Sequence, residues 1–262
     1  MTGYGRNGNL IRILYLAGAA IAYFLTIWGR LRCKKGVVLC YHGVRPEQKH
    51  RFERQVILLS RRFPFVRMTF DDAFSNLLDN ALPILEELQV PAIIFAVTDN
   101  LGDIPRWNIP AGHPEAQELT MTAQQLLNIS KHPLIRIGSH TLTHPDLTKI
   151  SHDRLQAELA ESKSKLEKLL GCPIEDMALP HGAYNEEVIA LAQAAGYKRI
   201  FTLDPRPTDF ESGSAVMGRF SLSPDVWPIE FYLTCAGAYA GLYPWRRFIR
   251  RFRCKLQKLR GR

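Results

Sequence analysis

Residues 68–74, MTFDDAF, set Asp71 beside Asp72 directly after a short apolar run. Adjacent carboxylates raise one another's pKa, so the pair is costly unless a cation takes one of them. His140 and His144, in SHTLTHPD, stand four apart, and one helical turn would bring both imidazoles within reach of a single divalent ion. Two histidines and a carboxylate are a known set for a catalytic zinc with an open position. With Asp72 on the ion, Asp71 stays free to accept a proton from a water whose pKa the ion lowers to about 7. His42, at the end of another apolar run, is then placed to protonate a leaving amine. The plainer readings are a solvated turn for the aspartates and a buried, hydrogen-bonded histidine for His42. H-x-x-x-H alone is a weak signal; beside an Asp-Asp pair it becomes specific.

These residues need elements that bring them together. The apolar runs at 36–42, 65–70, 92–97, 134–140, 174–179, 199–203 and 218–222 read as strands. Helices are expected over 75–89, over 122–130 behind a Thr122 to Gln125 capping box, over 151–170 between Ser151 and Gly171, and over 185–195 between Asn185 and Gly196. This alternation predicts a largely parallel α/β sheet, open or closed into a barrel. In such folds ligands gather at the carboxyl ends of strands, where His42, Asp71, Asp72, His140, His144 and the LPHGAY stretch (179–184) all fall. The connection from Thr98 to Thr120 is longer than an ordinary loop and suits an active-site wall.

The set resembles the polysaccharide deacetylases, also called the NodB-homology domain or carbohydrate esterase family 4, over roughly residues 36 to 225. The family's T-F-D-D-G motif is matched by Thr69 to Ala73, its histidine-pair motif by HTLTH at 140–144, and its R-x-P-x-G motif by Ala178 to Gly182. The resemblance implies a distorted (β/α) barrel and metal-dependent hydrolysis of a sugar N-acetyl group. It makes Asp71 the base, makes Asp72, His140 and His144 the ligands of Zn(2+), with Co(2+) or Ni(2+) as substitutes, and sets Pro180, His181, Gly182 and Tyr184 at the substrate, with the His181 N–H on the acetyl oxygen. Three positions depart from the pattern: Ala73 replaces Gly, Ala178 replaces the Arg that orients the base, and RFSLSPDVWP lacks the late L-x-L-H histidine. A branch similar to the poly-N-acetylglucosamine deacetylases takes its acid from an early YH instead, matched here by Tyr41 and His42.

Composition adds a membrane expectation. The chain has 262 residues and a net charge of +9, with acid-free basic stretches at both ends, 1–35 and 246–262. The uncharged run Ile13 to Trp28 would span about 24 Å as a helix, against a hydrocarbon core of about 30 Å, so residues 1–35 read as a retained anchor that spans with help from its flanks. Residues 226–262 run from apolar and aromatic to basic, as an interfacial amphipathic helix on an anionic membrane does; no nucleic-acid partner is expected. Cys33, Cys40, Cys172, Cys235 and Cys254 form no CxxC pair, which argues against a disulfide framework or a cysteine zinc site. The basic flank after the anchor points to the bacterial inner membrane with the body on the cytoplasmic side. The expected partner is an N-acetylated glycan or a lipid-linked sugar. The alternative, drawn from the missing Arg and late His, is a catalytically weak, membrane-tethered glycan-binding or scaffold protein. Trp107 and Trp227 read as core or barrel cover, and His50, His113, His132 and His152 as partnerless surface residues.

Overall fold

The computed structural model describes residues 36–110, 112–208 and 213–239, with 16–18 and 20. Six of the apolar runs become strands β1 (Val38–Tyr41), β2 (Arg67–Phe70), β3 (Ala92–Ala96), β4 (Ile135–Ser139), β5 (Asp176–Ala178) and β6 (Arg199–Phe201). The seventh, 218–222, holds β8 (Phe220–Ser221), and a further strand, β7 (Val216–Met217), forms just ahead of it, outside any expected run. All pair in parallel, in the order β7-β6-β5-β4-β3-β2-β1-β8. β7 and β8 hold opposite ends of this order, yet only Gly218 and Arg219 separate them in sequence. The sheet therefore curls until one short run of chain touches both β6 and β1. A Cβ on Gly218 would lie 2.6 Å from the Asp204 carbonyl oxygen, so that run passes only as glycine.

Alternation along the strands separates two apolar layers. Leu39, Tyr41, Met68, Phe70, Ala92, Ile94, Met177 and Ile200 face the helices in the main core. Val38, Ile93, Phe95, Ala178, Phe201 and Met217 form a second cluster inside the curl. Gly138 on β4 also belongs there, since a Cβ would overlap the Phe95 ring.

The helices are α1 (Lys49–Arg62), α2 (Asn76–Asn80), α3 (Leu82–Glu87), α4 (Ala123–Ile129), α5 (His152–Leu170), α6 (Glu186–Ala194) and α7 (Pro228–Cys235). The Thr122 to Gln125 capping box forms, Asn185 caps α6 through the Val188 N–H, and Gly171 ends α5 at φ 70°. The single helix expected over 75–89 is two. Pro83 has no N–H for the carbonyl of Asp79, and Lys49 Nζ takes that oxygen instead at 2.9 Å. α1 was not among the expected helices; it buries Phe52, Val56 and Leu59, spaced as one helical face. α7 packs Phe231 and Cys235 into the main core, while Leu233 and Ala238 meet Leu16 and Ala20. No helix among the described residues is long and apolar enough to cross a membrane. The expected anchor and the basic tail from 240 fall almost wholly outside the described residues.

Candidate active site

β2 delivers Asp71 and Asp72 to the carboxyl rim, and β4 delivers His140 and His144. Four of these surroundings need left-handed backbone: Asp72 (φ 66°), Ala73 (50°), Thr141 (70°) and His144 (61°). Such strain concentrates where function demands it. The 140–144 turn is held from outside by Glu158 of α5, a buried carboxylate that accepts from the N–H groups of Leu142 (3.0 Å) and Thr143 (2.9 Å) and from the Thr143 hydroxyl (2.5 Å). Within it, Thr141 Oγ1 accepts the His144 N–H at 3.0 Å.

The result is a compact donor set. Nε2 of His140 and of His144 each lie 3.7 Å from Asp72 Oδ1, and the ligand atoms of the three residues fall within 4.8 Å of one another. His140 Nδ1 meets the Ala178 carbonyl at 2.8 Å, which assigns the proton to Nδ1 and leaves Nε2 as an electron-pair donor. Burial pulls His140 down to about 4 and, with His140 and His181 as neighbours, His144 down to about 2. Both rings are therefore neutral near pH 7, the ligating form. Burial pushes Asp72 up to about 7; His42 opposes this and Asp71 adds to it. Asp72 Oδ1 is buried with no hydrogen-bond partner among the described residues. A buried, unpartnered carboxylate oxygen facing two neutral imidazole nitrogens fits a divalent cation.

Asp71 is held quite differently. Arg219, from the β7–β8 run, is fully buried and engages both carboxylate oxygens, Nη1 to Oδ1 at 2.6 Å and Nη2 to Oδ2 at 2.8 Å. Its Nε donates to the Thr202 carbonyl and its guanidinium lies against the Phe95 and Phe201 rings. Burial works against the Asp71 charge, but Arg219, with His140 and His42, more than offsets it and holds the carboxyl far below the usual range. The Arg read as missing at Ala178 has a counterpart on Asp71 from the other side of the curl, and Ala178 lines the inner cluster beside it. Arg219 escaped the sequence reading; its one signal was a charge inside the apolar run GRFSL. The Cys40 thiol, also unforeseen, donates to Asp71 Oδ2 at 3.3 Å.

His42 follows β1 with Nε2 4.0 Å from Asp72 Oδ2. Burial disfavours its charge, yet Asp72, Asp71 and Glu115 more than offset this and raise its pKa. The LPHGAY stretch forms a turn after β5 in which His181 sits at φ 57° and its ring meets His144 edge-on at 4.8 Å. The N–H groups of Gly182 and Ala183 go to the carbonyls of Leu179 and Pro180. Gly182 is required at φ 62°, because a Cβ would lie 2.6 Å from the Leu203 nitrogen. The Tyr184 hydroxyl donates to Asp204 Oδ2 at 2.6 Å. The 98–120 connection closes the β3 side: Thr120 bridges Phe74, and the Met121 N–H donates to the Ala73 carbonyl at 2.8 Å. From it Trp107 stacks on His144, in keeping with the cover expected of it, whereas Trp227 is 41% exposed at the start of α7 and is not core. The other four histidines are not partnerless: His50, His113, His132 and His152 meet Glu53, Glu115, Glu86 and Glu187, and His113 and His132 are half-buried.

The family profile described as polysaccharide deacetylase matches residues 60–200, more than half of the chain. YxkH of Bacillus subtilis (strain 168) is 26% identical over 159 residues, covering 61% of this chain and 52% of that protein. A poly-beta-1,6-N-acetyl-D-glucosamine N-deacetylase of Staphylococcus aureus (strain N315) is 24% identical over 163 residues, 62% of this chain and 56% of that protein. The chain spans about half the length of these curated relatives. Among solved structures, the Streptococcus pyogenes deacetylase PplD in complex with acetate superposes with a TM-score of 0.62 at 22% identity, over 77% of this chain and 98% of that one. IcaB from Ammonifex degensii gives 0.60 at 22%, over 77% and 97%. These two likenesses concern the fold. By the profile match, the chain belongs to the polysaccharide deacetylase family.

Proposed function

We propose that this chain is a metal-dependent hydrolase that removes N-acetyl groups from an amino-sugar glycan or a lipid-linked sugar, on a distorted (β/α) barrel. The observation that carries the reading is the division between neighbouring carboxylates. Asp72 turns an unpartnered oxygen to two neutral imidazoles, while Arg219 keeps Asp71 ionised in the resting site.

In this reading Asp72, His140 and His144 hold the ion, most simply Zn(2+), with Co(2+) or Ni(2+) as substitutes. When bound, a divalent ion acidifies water and polarises a carbonyl oxygen. Asp71 takes the proton of the attacking water: Arg219 occupies one lone pair on each oxygen and the Cys40 thiol a second on Oδ2, which leaves a pair on Oδ1. The His181 N–H, with the Pro180 to Gly182 turn around it, steadies the charge developing on the acetyl oxygen. The oxygen of water joins the acetyl carbon, the C–N bond breaks, and protonated His42 gives its proton to the departing amine, so acetate and an amino sugar leave. The raised pKa of His42 suits a group that must begin protonated. Tyr184, its hydroxyl on Asp204, serves as a wall.

The scaffold alternative rested on the missing base-orienting Arg and the missing late His; Arg219 on Asp71 and His42 at 4.0 Å from Asp72 favour the catalytic reading over it. Dialysis against chelator should abolish acetate release from N-acetylglucosamine oligomers, and zinc should restore it; release that persists in Asp71→Asn would overturn the mechanism.

The membrane tether belongs to the same proposal, supported by the acid-free basic ends and the uncharged run 13–28. The body is assigned to the cytoplasmic side of the inner membrane, where a lipid-linked substrate is within reach. Protease should then cleave the body in inverted vesicles and spare it in right-side-out ones.

A further inference from the structure

We propose that Trp107, on the connection between β3 and α4, is a positioning residue that clamps the His144 imidazole in its ligating orientation. The proposal rests on the metal-site reading above.

The two histidines of the site are held by different means. His140 is oriented by a directional bond, Nδ1 to the Ala178 carbonyl at 2.8 Å. His144 has no such bond: its Nδ1 is buried and meets no partner among the described residues, and its backbone lies in the left-handed region at φ 61°, outside any helix or strand. An imidazole free to turn about its side-chain bonds would carry Nε2 away from Asp72, so something else must fix the ring. Three rings touch it. His140 and His181 meet it edge-on at 4.8 Å, with interplanar angles of 70° and 81°. Trp107 alone lies along its face, centroids 4.7 Å apart and planes 30° apart. Offset stacking of this kind restricts ring rotation while leaving the edge nitrogens clear.

The loop that carries Trp107 is tied to the segment it steadies. The N–H groups of Thr98 and Asp99 donate to the carbonyls of Thr141 and Leu142, at 3.2 and 3.0 Å, and the Thr98 hydroxyl reaches the same Thr141 oxygen at 3.0 Å. The loop's far end is closed by the Gly102 N–H on the Met121 carbonyl at 3.0 Å and by the Thr120 hydroxyl on the Asn100 carbonyl. The outer wall of the site and one of its ligands therefore form a single unit, and ion retention depends on a residue about forty positions upstream of the ligand it steadies.

The test uses the full chain, with zinc affinity measured by competition against a chromophoric chelator and ligand geometry followed by the visible absorption of Co(2+). Outer partners of metal ligands typically tune affinity by 10–100-fold, so Trp107→Ala should weaken zinc by about tenfold or more and alter the cobalt bands. Trp107→Phe, which can still stack, should stay within about threefold of wild type. Circular dichroism and thermal unfolding of the metal-free variants check the fold. Should Trp107→Ala misfold, Trp107→Leu against Trp107→Phe decides, since leucine fills space without stacking and should bind weakly. Alanine, or leucine in its place, matching wild type would overturn the clamp, as would phenylalanine falling as far as they do. A wild-type chain that binds no metal would instead overturn the site reading, and the clamp with it.

Discussion

Asp71 and Asp72 are chemically identical and adjacent, and their different fates come from what each faces. Arg219→Met would leave the Asp71 charge buried and unpaired, a change that costs about 3–5 kcal/mol, read as a lower urea midpoint. Arg219→Lys keeps the charge but not the two parallel bonds, so it should lose less stability and still slow acetate release. Asp71→Asn and His42→Ala should each retain zinc while losing acetate release by roughly 10²-fold or more, whereas Asp72→Ala should lose the zinc itself. The metal-free protein also makes a pH prediction. Asp72, pushed up to about 7, is mostly protonated below that pH, and a metal must displace the proton. Apparent zinc affinity should therefore climb with pH up to about 7 and level off above it, checked by chelator competition between pH 5.5 and 8.5. The acids and histidines were legible because they are short-range patterns at strand ends. Arg219 was not, because its partner lies 148 positions away and a guanidinium inside an apolar run has no local pattern.

Elements explain how those side chains hold their places. The strands and the capped helices were readable from alternation, from Thr122 and Gln125, and from Asn185, since each of these acts within one turn of chain. α1 carried a readable face in Phe52, Val56 and Leu59, but its many charges masked it; α2 and α3 parted because Pro83 cannot donate. Glu158 shows what an element-level reading misses: on the sequence it is one more acid on an amphipathic helix, and in the fold it is the peg for the 140–144 turn. Glu158→Ala removes hydrogen bonds to a charged acceptor worth about 1.5–3 kcal/mol each at most, so it should lower stability by a few kcal/mol and weaken zinc even though Glu158 touches no ligand atom. Thermal unfolding with and without zinc separates the two effects. Gly182→Ala should be worse for turnover than for stability, because the Cβ meets Leu203 in the turn proposed to carry the acetyl oxygen contact.

At the scale of the whole molecule, the curl of the sheet joins the first strand to the last. The parallel architecture was legible from the alternation of runs, but β7, just ahead of the run 218–222, was not, because only the closed geometry requires one segment to serve two neighbours. That seam has a kinetic consequence. A chain emerging from synthesis or refolding from its amino end has all three proposed metal ligands once residue 144 is available, yet Asp71 has no counter-charge until residue 219 arrives and docks. Contacts of such long sequence separation form late in folding as a rule. In refolding experiments cobalt absorption should therefore recover before acetate release does. Hydrolysis becomes a report that the final strand is in place, so a chain cut short of Arg219 would carry metal and stay silent.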